Sequence, residues 1–116
     1  MVDETQMKSS DLSGCEKRVL GCIYEYKRKN EELPNLRDLM TLIEEKYGIL
    51  WKQQTVCTFL NRMEKKGLLM TEKKGRYTYY YPVVPYEIYV CRELKELCNI
   101  YFENSEKKLK QFVRRM

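Results

Sequence analysis

The apolar residues change period between Trp51 and Pro82, and that change limits what this stretch can become. Val56, Phe59, Leu60 and Met63 recur at i, i+3, i+4 and i+7, which is one side of an α-helix. From Arg76 to Tyr81 the pattern alternates instead, with Tyr77, Tyr79 and Tyr81 on one face and Thr78 and Tyr80 on the other. The helix is expected to begin at Gln54 and Thr55 and to end at Lys65, Lys66 and Gly67, cations and then a residue free to turn left-handed. Leu68, Leu69 and Met70 lead into a first strand, Lys73-Lys74-Gly75 reads as the turn, and Arg76 to Tyr81 returns.

The outward side of this helix carries Gln54, Thr58, Asn61 and Lys65 at i, i+4, i+7 and i+11, polar but almost uncharged. Gln and Asn amides can bond two base-edge atoms at once and a Thr methyl can meet a thymine methyl, whereas acids there would repel phosphate. An ordinary solvated face is the competing reading, and charge placement weighs against it. The segment Trp51 to Tyr81 holds seven bases (Lys52, Arg62, Lys65, Lys66, Lys73, Lys74 and Arg76) and two acids (Glu64 and Glu72). That is the whole net +5 of the chain, since fifteen bases balance fifteen acids elsewhere. A phosphate-facing surface requires such collection, because each neutralised phosphate releases condensed counterions. The stretch reads as a DNA-recognition helix followed by a wing.

Composition excludes several alternatives. A chain of 116 residues, 43% of them hydrophobic, holds one small core plus an appendage. No run approaches the roughly 18 apolar residues that cross a membrane. MVDETQMKSS lacks the apolar stretch of a secretion signal, so a cytoplasmic location is expected. There is no histidine, which removes Ser-His and Cys-His nucleophile pairs and imidazole metal ligands. The acids are mostly surface residues near Lys or Arg, and no Gly-rich phosphate loop appears, so no enzyme is expected and no cofactor is implied.

Residues 1–11 read as a flexible arm. Ser13 with Glu16 makes a capping box for a first helix, whose apolar side is Cys15, Val19, Leu20, Cys22, Ile23 and Tyr26 and whose end lies near Lys29. Pro34 biases Leu33 toward extended backbone, and Asn35 can cap a second helix with Leu36, Leu39, Met40, Ile43 and Tyr47 on one side and Gly48 as the stop. Three helices and a hairpin are the winged helix-turn-helix order, so 12–83 is expected to be a mainly α domain with a small β-hairpin. The tyrosines could serve as a stacking platform for single-stranded nucleic acid, but strand aromatics more often pair across a hairpin or fill a core.

Pro82 and Pro85 bracket a joint, and 84–116 is expected to be a helical dimerisation region. A fourth helix from Tyr86 to about Phe102 carries a broad apolar side of Val90, Cys91, Leu94, Leu97, Cys98 and Tyr101. The same helix of a second copy would cover it, because two-fold dimers bury matching patches, and a dimer reads two DNA half-sites. Packing on the first helix of the same chain is the other cover. The tail EKKLKQFVRRM can add three turns with Leu109, Phe112 and Val113 inward.

The five cysteines fit reduced thiols. Cys15 with Cys22, and Cys91 with Cys98, are seven apart, about 10.5 Å along a helix at roughly 1.5 Å per residue. That is beyond disulfide reach or the sharing of one metal. Thiols of the fourth helix could still meet across a dimer axis and respond to oxidant or metal.

The runs TVCTFLNRMEKKGLL and GRYTYYYP, with LSGCEKRVLGCIYE, LRDLMTLIEE and RELKEL around them, resemble the penicillinase-repressor family of winged-helix transcriptional repressors, the BlaI/MecI/CopY type. The resemblance covers about Leu12 to Ser105. It implies a cytoplasmic homodimer that sits on palindromic operators in double-stranded DNA and blocks transcription, commonly of β-lactam-resistance or copper-handling genes. Carried over by position, it implies DNA contact by Lys52, Gln53, Gln54, Thr55, Cys57, Thr58 and Arg62, with Lys73, Lys74 and Arg76 on the wing. The Asn-Phe bond cleaved in the antibiotic-responsive branch is absent, the corresponding region reading LKQFVRR, as are the Cys-x-Cys pairs of the copper-responsive branch. A winged helix that binds another protein is the main alternative function.

Overall fold

Ser13 and Glu16 close the predicted capping box. The Ser13 hydroxyl accepts from the Glu16 N–H at 3.1 Å, and the Ser13 N–H donates to the Glu16 carboxylate at 3.0 Å. That pair opens α1 (Gly14–Asn30) in the computed structural model, which describes residues 12–116; the expected arm at 1–11 lies outside them. Asn35 and Asp38 form a second reciprocal pair at 2.9 and 3.0 Å and open α2 (Leu36–Tyr47), which ends at Gly48. α3 (Gln53–Lys65) starts a residue earlier than its spacing predicts. The Lys52 carbonyl accepts from the Thr55 and Val56 N–H groups at 3.0 and 3.2 Å, a start made by backbone alone that no capping side chain marks in the sequence.

Gly67, with φ +78°, turns the chain out of α3. β1 (Leu69–Lys74) then pairs antiparallel with β2 (Tyr77–Pro82), from Leu69 opposite Pro82 to Lys74 opposite Tyr77. This corrects the predicted turn: Lys73 and Lys74 are strand residues and the loop is Gly75-Arg76. Gly75 has φ +63° at the first central position, the place where a type II′ turn puts its glycine, so loop geometry fixed the register where charge pattern misplaced it. The Tyr80 N–H donates to the Pro34 carbonyl at 2.9 Å and Asn35 bridges Tyr79, so the extended backbone before α2 adds a third edge beside the hairpin.

The core lies where α1 meets α2, α3 and β2. Val19, Leu20 and Ile23 of α1, Leu39 and Ile43 of α2, Val56, Leu60 and Met63 of α3, and Leu68 and Leu69 are all buried. Phe59, predicted on the same face, is half-buried with its ring edge-on to Trp51, centroids 5.2 Å apart. Glu25 of α1 ties α1 to α2 by accepting from Lys46 at 2.7 Å, and accepts also from Lys29 of its own helix at 3.1 Å. Three helices followed by the hairpin make this a mainly α winged helix-turn-helix.

The chain divides into two compact units after Val84. The second, Pro85–Met116, consists of α4 (Tyr86–Tyr101) and α5 (Glu106–Arg114). Glu103 and Asn104 reverse the chain at φ +54° and +61°, and the Ser105 hydroxyl accepts from the Lys108 N–H at 3.2 Å. The Phe102 and Phe112 rings approach to 5.6 Å. Phe112 and Val113, predicted inward, are nevertheless about half exposed, and of the three only Leu109 is better covered. No helix among the described residues is long and apolar enough to cross a membrane.

Candidate nucleic-acid interface

The outward side of α3 carries Gln54, Thr58, Asn61 and Lys65, all exposed, with Arg62 beside them. Lys52 and Gln53 are exposed at its start. Thr55 and Cys57 are half-buried at the two flanks. The first turn of α3 contains no acid and its N-cap makes no side-chain hydrogen bond, unlike those of α1, α2 and α5. Its leading N–H groups therefore add to the positive end of the helix. Among the described residues, Lys52, Arg62, Lys65, Lys73 and Arg76 enter no ion pair, and Lys74 lies over the Tyr79 ring at 6.0 Å.

Several predicted positions acquire a defined geometry. The Thr58 hydroxyl donates to the Gln54 carbonyl at 2.9 Å, so its proton is committed inside the helix. Cys57 stands close to Tyr80; burial pushes the Tyr80 phenol up, and Cys57 and Glu64 push it further. Glu64 accepts from the Thr71 hydroxyl at 3.4 Å, so that acid sits on the hairpin side of α3. The tyrosines do not divide wholly as the alternation implies, since Tyr77 lines the same groove as Thr78 and Tyr80. Tyr80 and Thr78 line the space next to α2 and α3, the Tyr77 and Tyr79 rings approach to 6.5 Å, and the Tyr81 hydroxyl meets the Met70 sulfur at 3.6 Å. Lys66, counted with the outward bases, lies 3.4 Å from a buried Glu16 oxygen, so one of the seven cations is tied inward.

Sequence reasoning missed Arg37. It is exposed on the first turn of α2, makes no ion pair among the described residues, and lines a groove of about 600 Å³ together with Thr41, Trp51, Gln53, Arg76 and Thr78. Helical spacing marks Arg37 only as an outward residue; packing of α2 beside α3 and the hairpin puts it level with Gln53 and Arg76.

In the second unit, Leu94, Leu97 and Tyr101 are 47%, 40% and 73% exposed, Cys91 is exposed, Val90 is half-buried and Cys98 is buried. Ile88 and Ile100, off the predicted stripe, are exposed too, so the uncovered apolar surface is wider than the heptad-like face. Cys91, Leu94, Cys98 and Leu109 line a groove of about 390 Å³ between α4 and α5. All five cysteines are free, burial pushes the Cys22 thiol up to about 11, and no group of three or more Cys, Asp or Glu is placed to hold a metal ion among the described residues.

Known proteins share this arrangement. The solution structure of Bacillus licheniformis BlaI, in its monomeric form in complex with the blaP half-operator, is 25% identical with a TM-score of 0.51, covering 66% of this chain and 84% of that one. hsRosR-S1 and hsRosR-S4, each solved in a complex, share the fold at 17% and 16% identity, with TM-scores of 0.62 and 0.63 over 91% and 96% of this chain and 92% of each of theirs. A 16.5 kDa uncharacterized protein from the ptsI 3′ region of Latilactobacillus sakei is 43% identical over 51 residues, 44% of this chain and about a third, 34%, of that relative's own length. The model of the penicillinase repressor family matches residues 12–116, the whole described chain, and the protein belongs to that family.

Proposed function

We propose that the protein is a DNA-binding transcriptional regulator, a cytoplasmic repressor that occupies a palindromic operator as a homodimer. The observation that carries the reading is the α3 surface: an acid-free amide and hydroxyl ridge beside an uncapped helix start, flanked by cations that no ion pair holds among the described residues. In this reading α3 lies in the major groove, with Gln54, Thr58 and Asn61 toward base edges. Lys52, Arg62, Lys65, Lys73, Lys74, Arg76 and Arg37 take phosphates on either side, which fixes register without reading sequence. Family membership and the likeness to BlaI, itself solved on a half-operator, support it.

The homodimer rests on the exposed apolar side of α4. Val90, Cys91, Leu94, Leu97 and Tyr101 would meet the same residues of a second copy, with Cys98, predicted among them, buried beneath in its own subunit, and the two α3 helices would enter half-sites about one turn, roughly 34 to 36 Å, apart.

The test is duplex binding by fluorescence anisotropy as a function of salt, with inverted-repeat fragments selected from genomic DNA compared with random duplex. Each neutralised phosphate contributes about −0.9 to the log-log slope, so a dimer using all seven of these cations in each subunit gives roughly −13. A flat salt response would favour a protein partner instead. A chain that stays monomeric and prefers no inverted repeat would end the repressor reading.

A further inference from the structure

Glu16 is a charged side chain in an otherwise apolar core, 3% exposed. One of its oxygens accepts from the Ser13 N–H at 3.0 Å, and both lie near the Lys66 ammonium at 3.4 and 3.5 Å. Burial pushes this carboxyl up, but the hydrogen bonds from Ser13 and the Lys66 charge outweigh that and leave it lowered, so it is the ionised form that the site holds. Lys66 is the C-cap of α3, and Gly67 after it turns the chain into β1. The ion pair therefore spans fifty residues of sequence and pins the joint between the two proposed DNA-contacting elements to the first turn of α1. A buried carboxylate with one cation on it is a directional constraint, since losing the partner strands a charge inside the protein.

We propose that Glu16 is a positioning residue: through Lys66 it sets the angle of α3 and of the hairpin leaving it, and Lys66 is not a phosphate ligand although it belongs to the basic cluster. The proposal rests on the DNA-binding reading and adds to it a determinant of specificity that touches no DNA. Lysines at the end of a recognition helix ordinarily count toward phosphate neutralisation; here the geometry removes this one.

The experiment compares Glu16→Gln, Lys66→Met, the double variant and Lys66→Arg in the full-length chain. Glutamine can still complete the capping box with Ser13, so Glu16→Gln removes the ion pair and spares the helix cap. The double variant leaves no stranded charge and guards against a Lys66→Met protein that fails to fold. Affinities for the selected operator and for random duplex are measured across a salt series. A loss of folded fraction lowers both affinities by the same factor, whereas a misaimed helix lowers the operator affinity alone.

The expected result is an operator-to-random ratio about tenfold lower in Glu16→Gln, Lys66→Met and the double variant, about the discrimination carried by one base pair. Random-duplex affinity and salt slope stay at wild type, and Lys66→Arg restores the ratio. A slope shallower by about 1.8 in Lys66→Met, one lysine from each subunit, with equal losses on both duplexes, makes Lys66 a phosphate ligand and overturns the proposal. Equal losses without a change of slope, or no loss, reduce the pair to a structural one and overturn it as well. A wild type that binds no duplex is seen before any variant is compared, and it fails the DNA-binding reading itself.

Discussion

Thr58 illustrates how one local bond decides what a side chain can offer. With its hydroxyl proton committed to the Gln54 carbonyl, Thr58 cannot donate to a base, and its methyl becomes the main group it offers to one. Thr58→Val should therefore keep operator affinity close to wild type, while Thr58→Ser, which removes the methyl, should cost about 1 kcal/mol on operator and nothing on random duplex. The reverse order in a binding titration would show that the hydroxyl reads the base. Arg76 belongs to a different class. It sits on a turn with no ion pair among the described residues, so Arg76→Ala should weaken every duplex alike and, with one arginine lost from each subunit, make the dimer's salt slope shallower by about 1.8.

Among the elements, the interface depends on how α1 and α2 brace α3. Leu60 is buried at the centre of the inward face of α3, and Leu60→Ala should lower the unfolding free energy by about 2 to 5 kcal/mol in urea titration, with equal proportional losses on all duplexes. Hydrogen bonds from Lys46 of α2 and then from Lys29 of α1 itself hold the Glu25 carboxyl below its ordinary value of 4.5. Lys46 is correspondingly raised, chiefly by its bond to Glu25. A carboxyl whose folded pKa is depressed contributes stability that is complete above its unfolded value and is lost as pH falls through the folded one. Stability should thus fall below about pH 4.5, and Glu25→Gln should flatten that decline; an unchanged acid limb would show that the pair adds nothing. The absence of histidine means that no imidazole adds a step between pH 5 and 8.

At the scale of the whole molecule, the uncovered apolar side of α4 is what would turn a DNA-binding unit into an operator-reading one. Glutamate at both Leu94 and Leu97 would place like charges against each other across a two-fold axis. The double variant should sediment as a monomer and lose its preference for an inverted repeat over a single half-site, while retaining most of its affinity for one half-site. A variant that remains dimeric would move the interface to other residues, with the exposed Ile88 and Ile100 next in line.

The periodicities of this chain determined its elements, because burial at 3.6-residue and 2-residue spacing is a local property of the pattern. Val56, Leu60 and Met63 face inward as their spacing requires, and Ser13 and Asn35 cap the helices they announce. Local pattern also singled out the outward ridge of α3. It misplaced the hairpin turn, since the positive charge of Lys73 and Lys74 imitates a loop while the φ of Gly75 sets the register. It overestimated the covering of α5, where Phe112 and Val113 are half exposed. Only the tertiary structure decided that Lys66 turns inward to Glu16 and that Arg37 joins Gln53 and Arg76 along one groove. Both are encounters between residues far apart in the chain, and the direction of a long charged side chain follows from the partner that packing brings to it, which no spacing rule encodes.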